Sequence, residues 1–174
     1  MQYTEGYLAF LDILGFSQFV SKEENGEKTA ELFKFVRNFC YLFNSAGNLK
    51  CNVAFFSDSI VITSENLEEM LLAITLAEMH LKKSMGLLYR GGICYGKYYH
   101  NNGVTFGPAV VEAYRLEKKA NYSRIIFSEG INLQGWENSL LLFKDVDGYY
   151  CVNPYLLAVN EATKYGGEKP EYPE

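Results

Sequence analysis

Two apolar runs in this chain each carry a single aspartate, and that pairing limits the folds open to it. The first is Tyr7-Leu8-Ala9-Phe10-Leu11-Asp12-Ile13-Leu14, closed by Gly15. The second is Val53-Ala54-Phe55-Phe56-Ser57-Asp58-Ser59-Ile60-Val61-Ile62. Aspartate is depleted from strands, and a buried carboxylate is costly without a partner. Two such carboxylates in one small domain suggest a shared partner, and a divalent cation is the usual one. Local alternatives remain open for each. Asp12 can cap a helix at a strand end, and Asp58 can be a plain hairpin-turn residue.

The rest of the chain supplies elements around these runs. Tyr7–Leu14 reads as a buried strand, followed by one helical turn or two over Phe16–Ser21. Lys28–Phe43 has Leu32, Phe33, Phe35, Val36, Phe39, Cys40 and Phe43 at helical spacing. Cys51–Phe56 and Ser59–Thr63 flank Ser57-Asp58, the pattern of a hairpin with Asp58 at or near its tip. Asn66 opens a helix with Glu68 and Glu69 in its first turn, and Gly86 ends it. Leu87–Gly96 is a strand whose Gly91-Gly92 pair implies close approach by another backbone or a ligand. Val104–Phe106 is a short strand, and Gly107-Pro108 opens a helix through Ala120. Arg124–Phe127 is a further strand, and Ser139–Phe143 pairs with Tyr149–Val152 through Asp147-Gly148. This order predicts an α+β fold of ferredoxin-like layout, one antiparallel-containing sheet with helices on a face.

Composition removes several function classes. The 174 residues fit one domain over residues 1–165, with a loose tail over 166–174 rich in Gly, Pro and charge. A net charge of −5 argues against a nucleic-acid polymer as partner, although a local cationic pocket for one nucleotide is compatible with it. Cys40, Cys51, Cys94 and Cys151 have no paired spacing and read as reduced thiols. His80 and His100 are too few to build a zinc site with them. Met1–Gly6 is polar and acidic, and no apolar run reaches the roughly 18 residues that span a bilayer. A soluble cytoplasmic protein without a membrane partner is expected.

Three blocks of this sequence together resemble the class III nucleotide cyclase catalytic domain. They are Phe10-Leu11-Asp12-Ile13-Leu14-Gly15-Phe16-Ser17, Phe56-Ser57-Asp58-Ser59-Ile60-Val61, and Arg90-Gly91-Gly92-Ile93-Cys94-Tyr95-Gly96 followed by Phe106–Glu117. They span about residues 7–128. Within that class, the Arg-Gly-Gly-Ile block and the Glu-Ala-Tyr-Arg-Leu-Glu-Lys helix look most like the bacterial Pycsar pyrimidine cyclases of anti-phage defence. Members of that group make cyclic UMP or cyclic CMP, which activates a partner effector.

The resemblance implies a ferredoxin-like cyclase fold and a set of roles. Asp12 and Asp58 would bind two divalent cations, Mg2+ or Mn2+, with the Ile13 carbonyl as a third oxygen ligand. Phe16 and Ser17 would lie beside the phosphates at the start of the next helix. Arg115 would stabilise the pentavalent phosphorus from the opposite subunit of a head-to-tail homodimer, and Lys144 would bind the triphosphate. The plain alternatives are a solvated Arg115 paired with Glu112 or Glu117, and a surface strand lysine at 144. The Tyr-rich stretch Tyr95–Tyr99 is either an interface patch or ordinary strand packing.

The pattern also departs from the family. An asparagine usual four residues before the arginine is Val111 here. Glu112, Tyr114, Arg90 and Arg124 are candidates to rebuild the cradle. The lysine and aspartate with which adenylate cyclases read the base are replaced by Ala54 and Val104. That loss argues against ordinary adenine recognition and is compatible with a pyrimidine packed by aromatics such as Phe55 or Tyr95, and Phe56 is a further candidate nucleotide-binding residue. A purine cyclase with a divergent pocket is one alternative, and a catalytically degenerate domain that binds a nucleotide or partner protein is another.

Overall fold

The computed structural model describes residues 2–153, except 23–25, 46–49, 102 and 137–138. The expected domain end at 165 and the tail over 166–174 lie outside the described residues. The elements are β1 (Thr4–Leu14), α1 (Phe16–Ser21), α2 (Glu27–Ser45), β2 (Cys51–Phe56), β3 (Ser59–Ser64) and α3 (Leu67–Met79). A π-helical turn, His80–Ser84, prolongs α3. There follow β4 (Leu88–Asn101), β5 (Val104–Phe106), α4 (Pro108–Lys119), β6 (Ile125–Phe127), β7 (Leu142–Lys144) and β8 (Tyr150–Val152). The sheet order is β2-β3-β1-β4-β6-β8-β7, with β5 paired to β4 outside that path. Among the described strands only β4 and β6 pair in parallel.

The α+β architecture is the expected one, but the helices cover both faces of the sheet, not one. Alternation along β1 explains the difference. Leu8 points to the face covered by α4, where it clusters with Cys94, Ala113, Leu116 and Ile126. Ala9, Leu11 and Ile13 point the other way, into a core with Phe39 and Phe43 of α2 and Met70, Leu71 and Ile74 of α3. A continuous apolar run such as Tyr7–Leu14 fits a strand buried on both faces.

Local signals set the helix ends. The Asn66 side chain accepts from the N–H groups of Glu68 and Glu69 at 2.8 and 3.2 Å, a helix cap at the expected position. Two strands run further than the sequence suggested. Thr4–Tyr7 pairs with Tyr95–Tyr98, so β4 extends through its tyrosines, and Tyr99–Asn101 then pairs with β5. Lys97 and His100 hide this extension from a reading based on apolar runs.

Gly91 and Gly92 are used by the backbone. A Cβ on Gly92 would lie 2.7 Å from the Ala113 carbonyl oxygen and 3.0 Å from the Glu117 nitrogen, both on α4. One on Gly91 would lie 2.7 Å from the Phe10 carbonyl oxygen. Helix and sheet therefore touch through their main chains. Gly92→Ala is expected to lower stability by about 1–3 kcal/mol through overpacking, read as a fall in thermal midpoint. Gly96→Ala is the control. Its added Cβ would meet Ala109 Cβ at 3.5 Å, an ordinary contact, and its midpoint should hardly move.

Candidate active site

The two aspartates lie at one end of the sheet. Asp12 pairs with Ser59 on one side and with Arg90 on the other. Asp58 forms the tip of the β2–β3 hairpin with Ser57, whose positive φ of 56° a tight turn imposes. The Ile13 N–H donates to the Asp58 carbonyl oxygen at 2.8 Å, which ties the hairpin tip to β1 one residue beyond Asp12. In an extended strand the N–H and C=O of one residue point to the same edge, so the Ile13 carbonyl is turned toward that tip. Asp12 caps no helix: α1 follows Gly15 in a left-handed conformation with no side-chain cap.

Register places the neighbours. Counting alternately from Leu8, Asp12 shares the α4 face with Arg90 and Ser59, and with Ala54 and Phe56 of β2. Phe56 is 83% exposed at the hairpin end, an uncovered ring beside the aspartates. Phe55 and Tyr95 point to the other face, Phe55 into the core and Tyr95 against Tyr7. Those two rings do not face the aspartates of their own chain. Phe16 also packs on that core, and Ser17 is exposed in the first turn of α1.

Arg90 stands between two carboxylates. Its Nε donates to Glu117 Oε1 at 2.5 Å, and its Nη2 lies 3.7 Å from Asp12 Oδ2. Glu117 is almost wholly buried and was not among the expected site residues. Helical spacing gives a signal for it, because Ala109, Ala113, Leu116, Glu117 and Ala120 form the buried stripe of α4. Burial first, then the charges of Glu117 and Asp58, push the Asp12 carboxyl above its ordinary range, against the opposing pull of Arg90.

The remaining predicted residues diverge from this cluster within one chain. Val111 and Arg115 sit on the exposed side of α4 with Tyr114, whose ring packs on Phe10 and under the Lys118 ammonium. Among the described residues Arg115 has no ion-pair partner, and Glu117 is committed to Arg90. Val104 pairs with Asn101, eleven residues along β4 from Arg90, roughly 35 Å at the usual strand rise. Lys144 lies on β7, four strands from β1 and roughly 19 Å across the sheet, with its ammonium near the Tyr150 ring.

Arg124 is not available to rebuild a phosphate cradle. It is buried, donates from Nε to the Ala120 carbonyl at 3.0 Å, and pairs with Asp145 at 2.6 Å and Asp147 at 2.5 Å. It also stacks over Tyr122, whose hydroxyl donates to Asp145. A cavity of about 730 Å³, lined by Ser128, Asn132, Gln134 and Tyr149 among others, shares no residue with the aspartate cluster.

The described donors around Asp12 and Asp58 are all oxygens, which suits a hard divalent cation. Among the described residues no group of three or more His, Cys, Asp or Glu side chains forms a metal cage. The groups at this end that could hold such a cation are two side-chain carboxylates and the Ile13 backbone carbonyl. No described helix is long and apolar enough to cross a membrane.

On the opposite face, beneath Arg90, Tyr89 hydrogen-bonds Glu78 of α3. Burial pushes the Glu78 carboxyl up to about 7, against the Tyr89 hydrogen bond and the charge of Lys82. The folded protein thus keeps a proton that the unfolded chain releases near pH 4.5, so stability falls as pH rises from there to about 7. The loss should be about 3 kcal/mol by linkage, and Glu78→Gln should remove most of it. Denaturant titrations at pH 5 and pH 8 check this.

No family model matches the sequence, and no curated protein matches it. Solved structures do. A guanylyl cyclase domain of the RhoGC fusion protein from the aquatic fungus Blastocladiella emersonii superposes with a TM-score of 0.62 at 16% identity, covering 87% of this chain and 98% of that one. A bacterial light-regulated adenylyl cyclase gives a TM-score of 0.58 at 19% identity, covering 94% and 99%. An adenylate cyclase from Trypanosoma brucei gives 0.56 at 13% identity, covering 85% and 89%. This chain therefore has the class III nucleotide cyclase fold: a mixed α+β domain with an open sheet and helices packed on it.

Proposed function

We propose that this chain is a nucleotide cyclase converting UTP or CTP to the 3′,5′-cyclic monophosphate and pyrophosphate. The observation that carries this reading is the Ile13–Asp58 hydrogen bond, which brings the two aspartates to one end of a sheet with the cyclase fold. In this reading the ribose 3′-oxygen bonds to the α-phosphorus while the α–β phosphoanhydride bond breaks. The hydroxyl proton leaves to solvent and pyrophosphate departs. Mg2+ or Mn2+ held by Asp12, Asp58 and the Ile13 carbonyl would supply the Lewis acidity for both oxygens of that displacement.

The chain's own residues divide the remaining work between two subunits. Arg115 faces outward from α4, so it serves the partner's site in a head-to-tail homodimer, where it holds the equatorial phosphate oxygens. Lys144 and Val104, distant from Asp12 in their own chain, enter the same composite site. Val111 presents a methyl surface where the family has an amide. The first-turn N–H groups of Phe16 and Ser17 face the phosphates.

Pyrimidine selectivity rests on Ala54 and Val104, which offer the base no hydrogen-bonding side chain. Phe56 supplies an exposed ring on the aspartate face. The product would then be a second messenger for a separate effector, as in Pycsar-type anti-phage defence. A purine product is the second reading, favoured because the solved structures above are named as adenylyl and guanylyl cyclases. A binding-only role is a third, since one structural neighbour is described as a class III adenylyl cyclase-like ATP-binding protein from Pseudomonas aeruginosa.

Incubation with each of the four nucleoside triphosphates and Mn2+, with mass spectrometry of the products, separates these readings. Cyclic UMP or cyclic CMP should dominate, and Asp12→Asn and Asp58→Asn should abolish it. Arg115→Ala should lower kcat by about 10²–10³. Mixing inactive Asp12→Asn and Arg115→Ala chains should restore about a quarter of wild-type activity, because each mixed dimer regains one intact composite site.

A further inference from the structure

We propose that Glu117 is a positioning residue that draws the Arg90 guanidinium away from Asp12 and so keeps the Asp12 carboxylate open to a divalent cation. This rests on the metal reading of Asp12 given above. One guanidinium lies between two carboxylates, and it is not shared evenly. The Glu117 contact, at 2.5 Å, is a hydrogen bond, whereas the Asp12 contact, at 3.7 Å, is beyond hydrogen-bonding range. Arg90 and Asp12 are partly exposed, with side-chain accessibilities of 30% and 24%. Glu117 retains 4%. The buried carboxylate fixes the arginine, and the accessible one is left available.

The reason lies in competition for one oxygen pair. An arginine fork fits a carboxylate in a bidentate pair, and Arg90 Nη2 already lies 3.7 Å from Asp12 Oδ2. A cation arriving at Asp12 would then have to displace a guanidinium. With Arg90 paired to Glu117, the guanidinium is occupied, and the Asp12 and Asp58 carboxyls are left to a cation. Without that pairing, Arg90 occupies one of the two. The close approach of Gly92 to Ala113 and Glu117 seats the helix directly on the strand, which sets Glu117 beside Arg90.

The test is Mn2+ binding to the full chain without nucleotide, followed by electron paramagnetic resonance of the free ion. Glu117→Gln should raise the Mn2+ dissociation constant about tenfold, the scale on which outer partners of metal ligands act. The double variant Arg90→Gln/Glu117→Gln should return to within about threefold of wild type, because no guanidinium is left to occupy Asp12. A purely structural role for the pair would give no such recovery. In the unmutated protein the Arg90 Nε–H resonance should stay unchanged through a Mg2+ titration, a check that needs no variant to fold. Wild-type affinity in Glu117→Gln, absence of recovery in the double variant, or displacement of the Arg90 resonance by Mg2+ would each overturn the proposal. Failure of the metal reading looks different: wild type would bind no Mn2+, or Asp12→Asn would bind as wild type does.

Discussion

Main-chain contact between β4 and α4 at Gly92 is the constraint on which the rest of the molecule depends. Where a side chain would normally separate helix from sheet, a Cβ at Gly92 would press into the Ala113 carbonyl. The helix comes down until backbone meets backbone, and its small residues Ala109, Ala113 and Ala120 permit the descent. Close approach brings Glu117 within reach of Arg90, and Arg90 is the β-ladder partner of Asp12. The aspartate end of the sheet, the buried acid of the helix and the arginine between them are thus set by one missing methyl group. The opposite side of α4, with Val111, Tyr114 and Arg115, faces outward for the same reason.

Much of this was legible in the sequence because it rests on local chemistry. Continuous apolar runs marked β1 and the β2–β3 hairpin, and Asn66 marked the start of α3. Gly91-Gly92 announced a close approach without saying what approached. Both sheet faces being covered was also encoded, since Leu8 and Ala9 are adjacent and both fully buried. That encoding is easily missed when helices are counted rather than strand faces. Two things needed three dimensions. The fate of Arg124 depends on Asp145 and Asp147, which are distant in sequence and adjacent only after β7 and β8 fold back. The face occupied by Phe55 or Tyr95 depends on register, and a shift of one residue would reverse it.

The electrostatics of the cluster follow from the same geometry. Burial first, and then repulsion by the charges of Glu117 and Asp58, hold the Asp12 carboxyl above its ordinary range. Folding leaves that repulsion in place and directs the nearest arginine to a third, buried acid. Arg90 stays with Glu117, and the Asp12 side chain keeps 24% of its surface open to solvent.

The far edge of the sheet has a different kind of attachment. β8 joins β6 through a single registered pair, Ile126 with Cys151, while β7 and β8 pair with each other over three residues. Arg124, anchored before β6, grips the β7–β8 hairpin through Asp145 and Asp147 and is stacked over Tyr122. The hairpin is thus held in two ways: by an ion pair, a fastening that salt and acid can loosen, and by Leu142, Cys151 and Val152, which are buried in the two cores. Lys144 stands in the β7–β8 ladder opposite Tyr150, so its position depends on the arginine's grip and on that buried packing together.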